Sequence, residues 1–131
     1  MKSASKIMYT IGKVINIIEI ILHMIVVTVG ILIIALSDKI YQNQSAGRIY
    51  SIDEIRNAGI LVLAIGIFLL IIAIVILVLA NIAQSKLNNN KKDTAPHIVM
   101  IVIGVFGDLF YLLGGVFGIV AEEQIAEAKT E

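Results

Sequence analysis

The sequence from Ala58 to Ala83 reads AGILVLAIGIFLLIIAIVILVLANIA, and it contains no charged or strongly polar side chain before Asn81. A helix needs about 20 apolar residues to cross the roughly 30 Å hydrocarbon core of a bilayer, so this run is long enough to span a membrane. A helix on the surface of a soluble protein would show a polar stripe, and this stretch has none. The stretch therefore predicts a transmembrane helix.

The composition of the whole chain agrees with this prediction. Of the 131 residues, 59% are hydrophobic and 15% are charged, whereas about a quarter of the residues in a soluble domain are charged. The formal net charge is zero, which indicates no basic surface for nucleic acid. Cysteine is absent, and this excludes disulfides, a thiol nucleophile and cysteine metal sites. No hydrolase, nucleotide-binding or metalloprotease motif occurs, so we expect a non-enzymatic protein without a cofactor.

Two other apolar segments flank the central one, and together they predict an all-α integral membrane bundle of three transmembrane helices in a single membrane domain. The predicted spans cover residues 7–36, 58–83 and 97–120. The remaining segments are a loop (37–57), a cytoplasmic connector (84–96) and an acidic tail (121–131) that we expect to be solvated. The first span resembles a signal peptide, but its apolar core exceeds the usual 7–15 residues, so we interpret it as an uncleaved helix.

The third apolar segment contains Asp108 at its middle. An aspartate at the centre of a span costs about 2.5–3.5 kcal/mol, and the many surrounding Leu, Ile, Val and Phe side chains outweigh that cost. We therefore expect a single span over 97–120. The alternative is a re-entrant helical hairpin that turns at Gly104–Asp108, which would need burial in protein.

Local motifs predict where two of the helices begin. Ser51 and Glu54 are spaced as a capping box, which predicts that the second helix begins near Ile52. Pro96 is suited to the first turn of the third helix, and Thr94 is a candidate cap for it.

The distribution of basic residues predicts the orientation of the chain. With three spans, Lys2, Lys6, Lys86, Lys91 and Lys92 share one side of the membrane. The positive-inside rule then predicts a cytoplasmic N-terminus in the cell membrane and an external acidic tail. A hairpin in place of the third span would put the tail inside.

A candidate polar cluster lies within the apolar segments. Asn16, Glu19 and His23 are spaced by three and four residues, so they share one helical face. Ionisable groups in a membrane are costly and often mark functional sites, and we hypothesise that Glu19, His23 and Asp108 meet near the midplane as a proton- or ion-coupling site. The alternatives are a polar latch between helices or side chains that reach the interface. A metal site is not supported, because no second histidine accompanies them.

Small residues predict close helix packing at two places. The second segment repeats a small residue every seven positions, at Gly59, Gly66, Ala73 and Ala80. In the third segment Gly114 and Gly118 form a GxxxG motif. Both patterns are typical of faces that let membrane helices approach closely.

The connector and third segment bring a resemblance to a known family. Lys91-Lys92, then Pro96, then the run Phe110-Tyr111-Leu112-Leu113-Gly114-Gly115-Val116 resembles the end of a family of small multi-pass bacterial membrane proteins of unknown function. The resemblance covers the layout of nearly the whole chain, although the acidic tail differs from the basic ending usual in that family. It implies no activity, substrate or catalytic residue.

These observations lead to three functional expectations. The first is an accessory or assembly subunit that packs through its glycine and alanine faces against itself or a larger membrane partner, with the lipid bilayer as its surroundings. The second is a small proton- or ion-coupled component that uses the polar cluster. The third, an immunity or stress-response membrane protein, has the same sequence features as the first.

Overall fold

The computed structural model describes residues 1–44, 49–89 and 93–127, without the side chain of residue 125. Every secondary-structure element in these ranges is an α-helix, which confirms the all-α class. The helices are α1 (Lys2–Ala35), α2 (Ser37–Gln42), α3 (Ile52–Asn88), α4 (Ala95–Phe106) and α5 (Leu109–Glu127). Two of them, α1 and α3, are long and apolar enough to cross a membrane.

Helices α1 and α3 are longer than the spans that the sequence predicted. At 1.5 Å per residue, the 34 residues of α1 extend about 51 Å and the 37 residues of α3 about 55 Å. The helix α3 ends at Asn88, so the predicted connector over 84–96 is wrong for residues 84–88, which are helical. Gln84 is held in the helix, where its side-chain amide donates to Thr10 Oγ1 at 3.1 Å. The lysines at 91 and 92 lie outside the described residues.

The third apolar segment is not one helix, so the prediction of a single span over residues 97–120 is wrong. It forms α4 and α5, which pack against each other as a helical hairpin with its turn at Gly107–Asp108. The Asp108 side chain explains the break, because its Oδ1 accepts a hydrogen bond from the backbone N–H of Phe110 at 2.8 Å. This contact caps the start of α5. The hairpin was the alternative that the sequence left open.

The segment predicted as a loop over 37–57 contains regular structure. The short helix α2 begins at Ser37, which is buried, and α3 begins at Ile52. The predicted capping box is confirmed: the Ser51 backbone N–H donates to Glu54 Oε2 at 2.7 Å, and the Glu54 N–H donates to Ser51 Oγ at 3.2 Å. Residues 45–48 of this segment lie outside the described residues.

The start of α4 agrees with one of its two sequence signals. Pro96 lies in the first turn of the helix, as predicted. Thr94 occupies the position before the helix, but among the described residues its side chain makes no capping hydrogen bond. The prediction of Thr94 as a side-chain cap is therefore wrong.

The chain divides into two compact units, and helices α1 and α3 each contribute to both. The second unit, Glu19–Ala73, contains an antiparallel pairing of α1 with α3. A Cβ atom built at Gly30 would lie 2.7 Å from the backbone nitrogen of Leu63, and one built at Gly66 would lie 3.1 Å from that of Val27. Such distances leave no room for a larger side chain, so the glycines permit this helix approach.

The first unit, Met1–Ile18 with Ile74–Glu131, holds the more elaborate core. It contains the start of α1, the end of α3 and the whole α4–α5 hairpin. A cluster of buried hydrophobic residues in this core comes from all four helices: Tyr9, Ala80, Ala83, Met100 and Tyr111. Ile76, Leu79 and Ile103 pack around them. The small residues of the predicted α3 pattern are all buried, namely Gly59, Gly66 and Ala73 in the second unit and Ala80 in the first.

Candidate functional site

A buried polar cluster occupies the core of the first unit and consists of Tyr9, His97 and Glu122. Tyr9 comes from α1, His97 from the first turn of α4 and Glu122 from the last turns of α5. Tyr9 and His97 are 0% exposed and Glu122 is 3% exposed. Tyr9 Oη lies 2.7 Å from His97 Nδ1, and His97 Nε2 lies 3.4 Å from Glu122 Oε1. Side chains from three helices therefore meet at the imidazole ring of His97.

The geometry fits a neutral imidazole that carries its proton on Nε2. In that tautomer the Tyr9 hydroxyl donates to Nδ1, and the Nε2–H group lies beside the Glu122 carboxylate at 3.4 Å without an aligned hydrogen bond. Addition of a proton at Nδ1 would turn this acceptor into a donor, so the Tyr9 hydroxyl would have to accept instead. One additional proton would therefore reverse the hydrogen bond between α1 and α4 and leave the Tyr9 hydroxyl hydrogen in need of another acceptor in a buried site.

Two glycines of α5 make the space that these rings occupy. A Cβ atom built at Gly118 would lie 2.5 Å from His97 Nδ1, and one built at Gly114 would lie 3.0 Å from the Tyr9 ring. The two rings lie nearly parallel at a centroid distance of 5.8 Å. Gly114 also accepts a hydrogen bond through its carbonyl from Ser5 Oγ at 2.7 Å. The GxxxG face of α5 thus receives side chains of α1 and α4 from the same chain.

The cluster continues to the surface through a pair of opposite charges. The backbone N–H of Asp93 donates to Glu122 Oε1 at 3.2 Å, and Asp93 Oδ2 lies 2.7 Å from Lys86 Nζ. The hydrogen bond from the Lys86 ammonium lowers the pKa of the Asp93 carboxyl below its ordinary value. Because both side chains are about one-third exposed, this pair forms the solvent-side edge of the cluster.

The buried carboxylate of Glu122 is only partly satisfied by hydrogen bonds. Its Oε2 is buried and has no hydrogen-bond partner within the described part of the chain. Glu122 belongs to the segment 121–131 that the sequence predicted as a solvated tail, and that prediction is wrong for Ala121 and Glu122, which are both buried. The reason is that α5 continues to Glu127 and packs these residues inward. Residues 128–131 lie outside the described residues.

The residues of the sequence-predicted cluster are divided between the two units. Asn16 is buried in the first unit, and Asp108 lies there at the hairpin turn, where it caps α5. Glu19 is exposed and His23 is half-buried in the second unit. The prediction that Asp108 lies inside a continuous span is wrong, and the hypothesis that Glu19, His23 and Asp108 meet stays a prediction.

Sequence reasoning missed all three residues of the buried cluster. Tyr9 was read as part of an apolar run, His97 as the first residue of a span and Glu122 as part of a polar tail. They are separated by 88 and 25 positions, as their numbers show, so no local pattern links them. The available signal was weak: a histidine that follows a proline at a helix start, opposite a GxxxG face.

The described residues contain no group of three or more His, Cys, Asp or Glu side chains placed to hold a metal ion. Comparison with known proteins adds no functional assignment, since no protein family, no curated protein and no solved structure matches this chain. The chemistry of the buried cluster is therefore the basis for a functional proposal.

Proposed function

We propose that this chain is an integral protein of the cell membrane, in which α1 and α3 cross the bilayer. Their outward-facing side chains are large and apolar, among them Leu22, Ile31, Leu61, Phe68 and Ile71, and all of these are exposed. In water such a surface would be strongly unfavourable, whereas lipid solvates it. This apolar surface supports the membrane placement.

The α4–α5 hairpin is proposed to enter and leave the membrane on the same side. The 12 residues of α4 extend about 18 Å, less than the roughly 30 Å hydrocarbon core. The start of α4 and the end of α5 lie together, because Asp93 bonds to Glu122. Gln84 Nε2 also contacts the carbonyl of Lys6, which brings the ends of α1 and α3 to this edge. The lysines near the start of α1 and the end of α3 favour a cytoplasmic N-terminus and a cytoplasmic tail by the positive-inside rule.

Within this membrane protein, we propose that the buried cluster is a proton-binding element and that the protein responds to pH. The observation that carries the proposal is the position of His97, buried between the phenol of Tyr9 and the carboxylate of Glu122. Histidine is the side chain whose ordinary pKa lies nearest to neutral pH. Burial lowers the pKa of His97 below that ordinary value, and the negative charges of Glu122 and Asp93 oppose this shift. Protonation of His97 would change the sense of its hydrogen bond with Tyr9 and so the docking of the hairpin on α1.

The test exploits the fact that the chain contains two histidines and no cysteine. A single cysteine replaces Ala121, which is buried on α5, and its rate of alkylation in liposomes is measured from pH 5 to pH 8. Because alkylation proceeds through the thiolate, each rate is divided by the rate of the same variant unfolded in denaturant at the same pH. We expect this ratio to rise as the pH falls in the parent protein and to become independent of pH in His97→Gln. The matched control His23→Gln should behave as the parent.

Two results would contradict the proposal. The first is a flat pH profile in the parent protein. The second is an equal pH response in the parent and in His97→Gln. Helical content from circular dichroism accompanies each measurement, so that a loss of response through misfolding is distinguished from a loss through removal of the proton site.

A second candidate function is that of an accessory subunit, and the tip of the hairpin favours it. Val105, Phe106 and Leu109 surround the turn and are 65%, 86% and 63% exposed. By contrast, the glycine faces that the sequence suggested for a partner receive other side chains of this chain. A pull-down in gentle detergent, with Phe106→Ser compared with the equally apolar control Phe68→Ser, tests this role. Loss of a co-purifying protein in Phe106→Ser alone would support it, and an identical set of co-purifying proteins in both variants would contradict it.

A further inference from the structure

An apolar groove with a charged end lies on the surface of the first unit, between the end of α3 and the start of α4. Leu79 and Ile82 form one wall, and Pro96 and Val99 form the other. Lys86 and Asp93 close one end of the groove, which has a volume of about 320 Å³. This volume lies within the range of small-molecule sites, and its walls are hydrocarbon.

The charges and the apolar walls follow one another along the helices. Lys86 lies near the end of α3 and Asp93 lies just before α4. Leu79 is seven residues before Lys86, so the apolar wall extends about 10 Å from the charged end along α3. A ligand with a charged head and a hydrocarbon tail would match both parts of the groove, and a membrane supplies such ligands as phospholipids.

We propose that this groove binds a phospholipid with an ethanolamine headgroup, its phosphate at Lys86, its ammonium at Asp93 and part of an acyl chain against Leu79, Ile82 and Val99. The charges of the two side chains are complementary to the two charges of the headgroup. Lys86 donates one of its three N–H groups to Asp93 and keeps donors for a phosphate. The proposal rests on the membrane placement proposed above and is independent of the pH response.

The same pair of charges discriminates between headgroups. A primary ammonium carries N–H donors that can bond to the Asp93 carboxylate, whereas the quaternary ammonium of a choline headgroup has none. A glycerol headgroup offers a phosphate for Lys86 but no cation for Asp93. The groove should therefore prefer ethanolamine lipids to both choline and glycerol lipids.

The test uses the full chain in vesicles of equal parts ethanolamine, choline and glycerol phospholipid with identical acyl chains. The protein is extracted in gentle detergent, and the lipids that it retains are identified by native mass spectrometry. We expect ethanolamine lipid to exceed choline lipid by about fivefold, the upper end for one partly exposed ion pair. Asp93→Asn should remove this preference while phospholipid is still retained, and Lys86→Gln should reduce the total phospholipid retained.

Two variants serve as controls, Lys39→Gln in α2 of the second unit and Glu123→Gln on α5, and both should match the unaltered protein. Retained lipid in the same proportions as the vesicle would overturn the proposal, and this measurement on the unaltered protein needs no variant. An undiminished ethanolamine preference in Asp93→Asn would also overturn it. Failure of the membrane placement is a distinct result, because the protein would then be washed from the vesicles by alkaline carbonate before any lipid analysis.

Discussion

The imidazole of His97 lies directly against the backbone of Gly118, so that a Cβ atom built at residue 118 would approach Nδ1 to 2.5 Å. His97 has no exposed surface, and the same Nδ1 atom bonds to the Tyr9 hydroxyl. The ring therefore cannot move away from a larger residue at position 118 without breaking a contact. The absence of a side chain at Gly118 therefore fixes where the His97 imidazole lies.

We predict that Gly118→Ala destabilises the docking of the hairpin. Overpacking costs about 1–3 kcal/mol, and the higher helix propensity of alanine returns about 0.8–1 kcal/mol. Gly107→Ala is the matched control, since no described atom lies within 4 Å of the Cβ position there and its backbone φ of −170° suits any residue. Denaturation in detergent micelles gives the comparison, and equal stability of the two variants would show that the space at Gly118 is not needed.

Removal of the Glu122 carboxylate should destabilise the protein far more than removal of its neighbour. In Glu122→Ala the backbone N–H of Asp93 loses its acceptor, which costs about 1–3 kcal/mol for a buried donor, and the imidazole of His97 loses the carboxylate that lies 3.4 Å away. Glu123 is exposed, so Glu123→Ala should change the free energy of unfolding by less than about 0.5 kcal/mol. Chemical denaturation of both variants measures the difference. Similar values would mean that Glu122 is not engaged in the folded protein.

The starts of α3 and α4 should respond differently when the residue before the helix is replaced by alanine. Ser51 Oγ accepts a hydrogen bond from the Glu54 N–H at 3.2 Å, so Ser51→Ala should remove a cap worth about 0.5–1 kcal/mol. Among the described residues the side chain of Thr94 makes no such bond, so Thr94→Ala should leave α4 unchanged. Amide hydrogen exchange in the first turns of α3 and α4 reports both effects. Faster exchange in α4 of Thr94→Ala would contradict the conclusion that the Thr94 side chain does not cap this helix.

The ion pair between Lys86 and Asp93 predicts a stability loss in acid. Because Lys86 holds the pKa of Asp93 below its ordinary value, this carboxyl stabilises the folded state above its unfolded pKa. The contribution is lost as the pH falls through the lowered pKa of the folded state. Asp93→Asn should therefore flatten the acid limb of the melting temperature against pH, whereas Glu123→Gln should not. An unchanged acid limb in Asp93→Asn would contradict this account.

Some features of this protein could be predicted because their causes are local. The capping box at Ser51 and Glu54 spans four residues, and its two hydrogen bonds are formed as the sequence indicated. The end of α3 could not be predicted in this way, because the polar residues after Asn81, such as Gln84, are compatible both with a loop and with a continuing helix. Its bond to Thr10 across the helix pair keeps it helical, and this bond depends on a partner 74 positions away.

The sequence by itself determined the helical class, the two long apolar helices and the start of α3, because hydrophobic length and short-range hydrogen bonds act within one segment. Only the tertiary structure decided that residues 97–120 fold back at Asp108 and that Tyr9, His97 and Glu122 meet. One long helix and a helical hairpin have the same apolar composition and differ in backbone hydrogen bonding only at the turn, so hydropathy does not distinguish them. The choice depends on glycine contacts such as Gly118 with His97, whose energy exists only when distant segments are packed together.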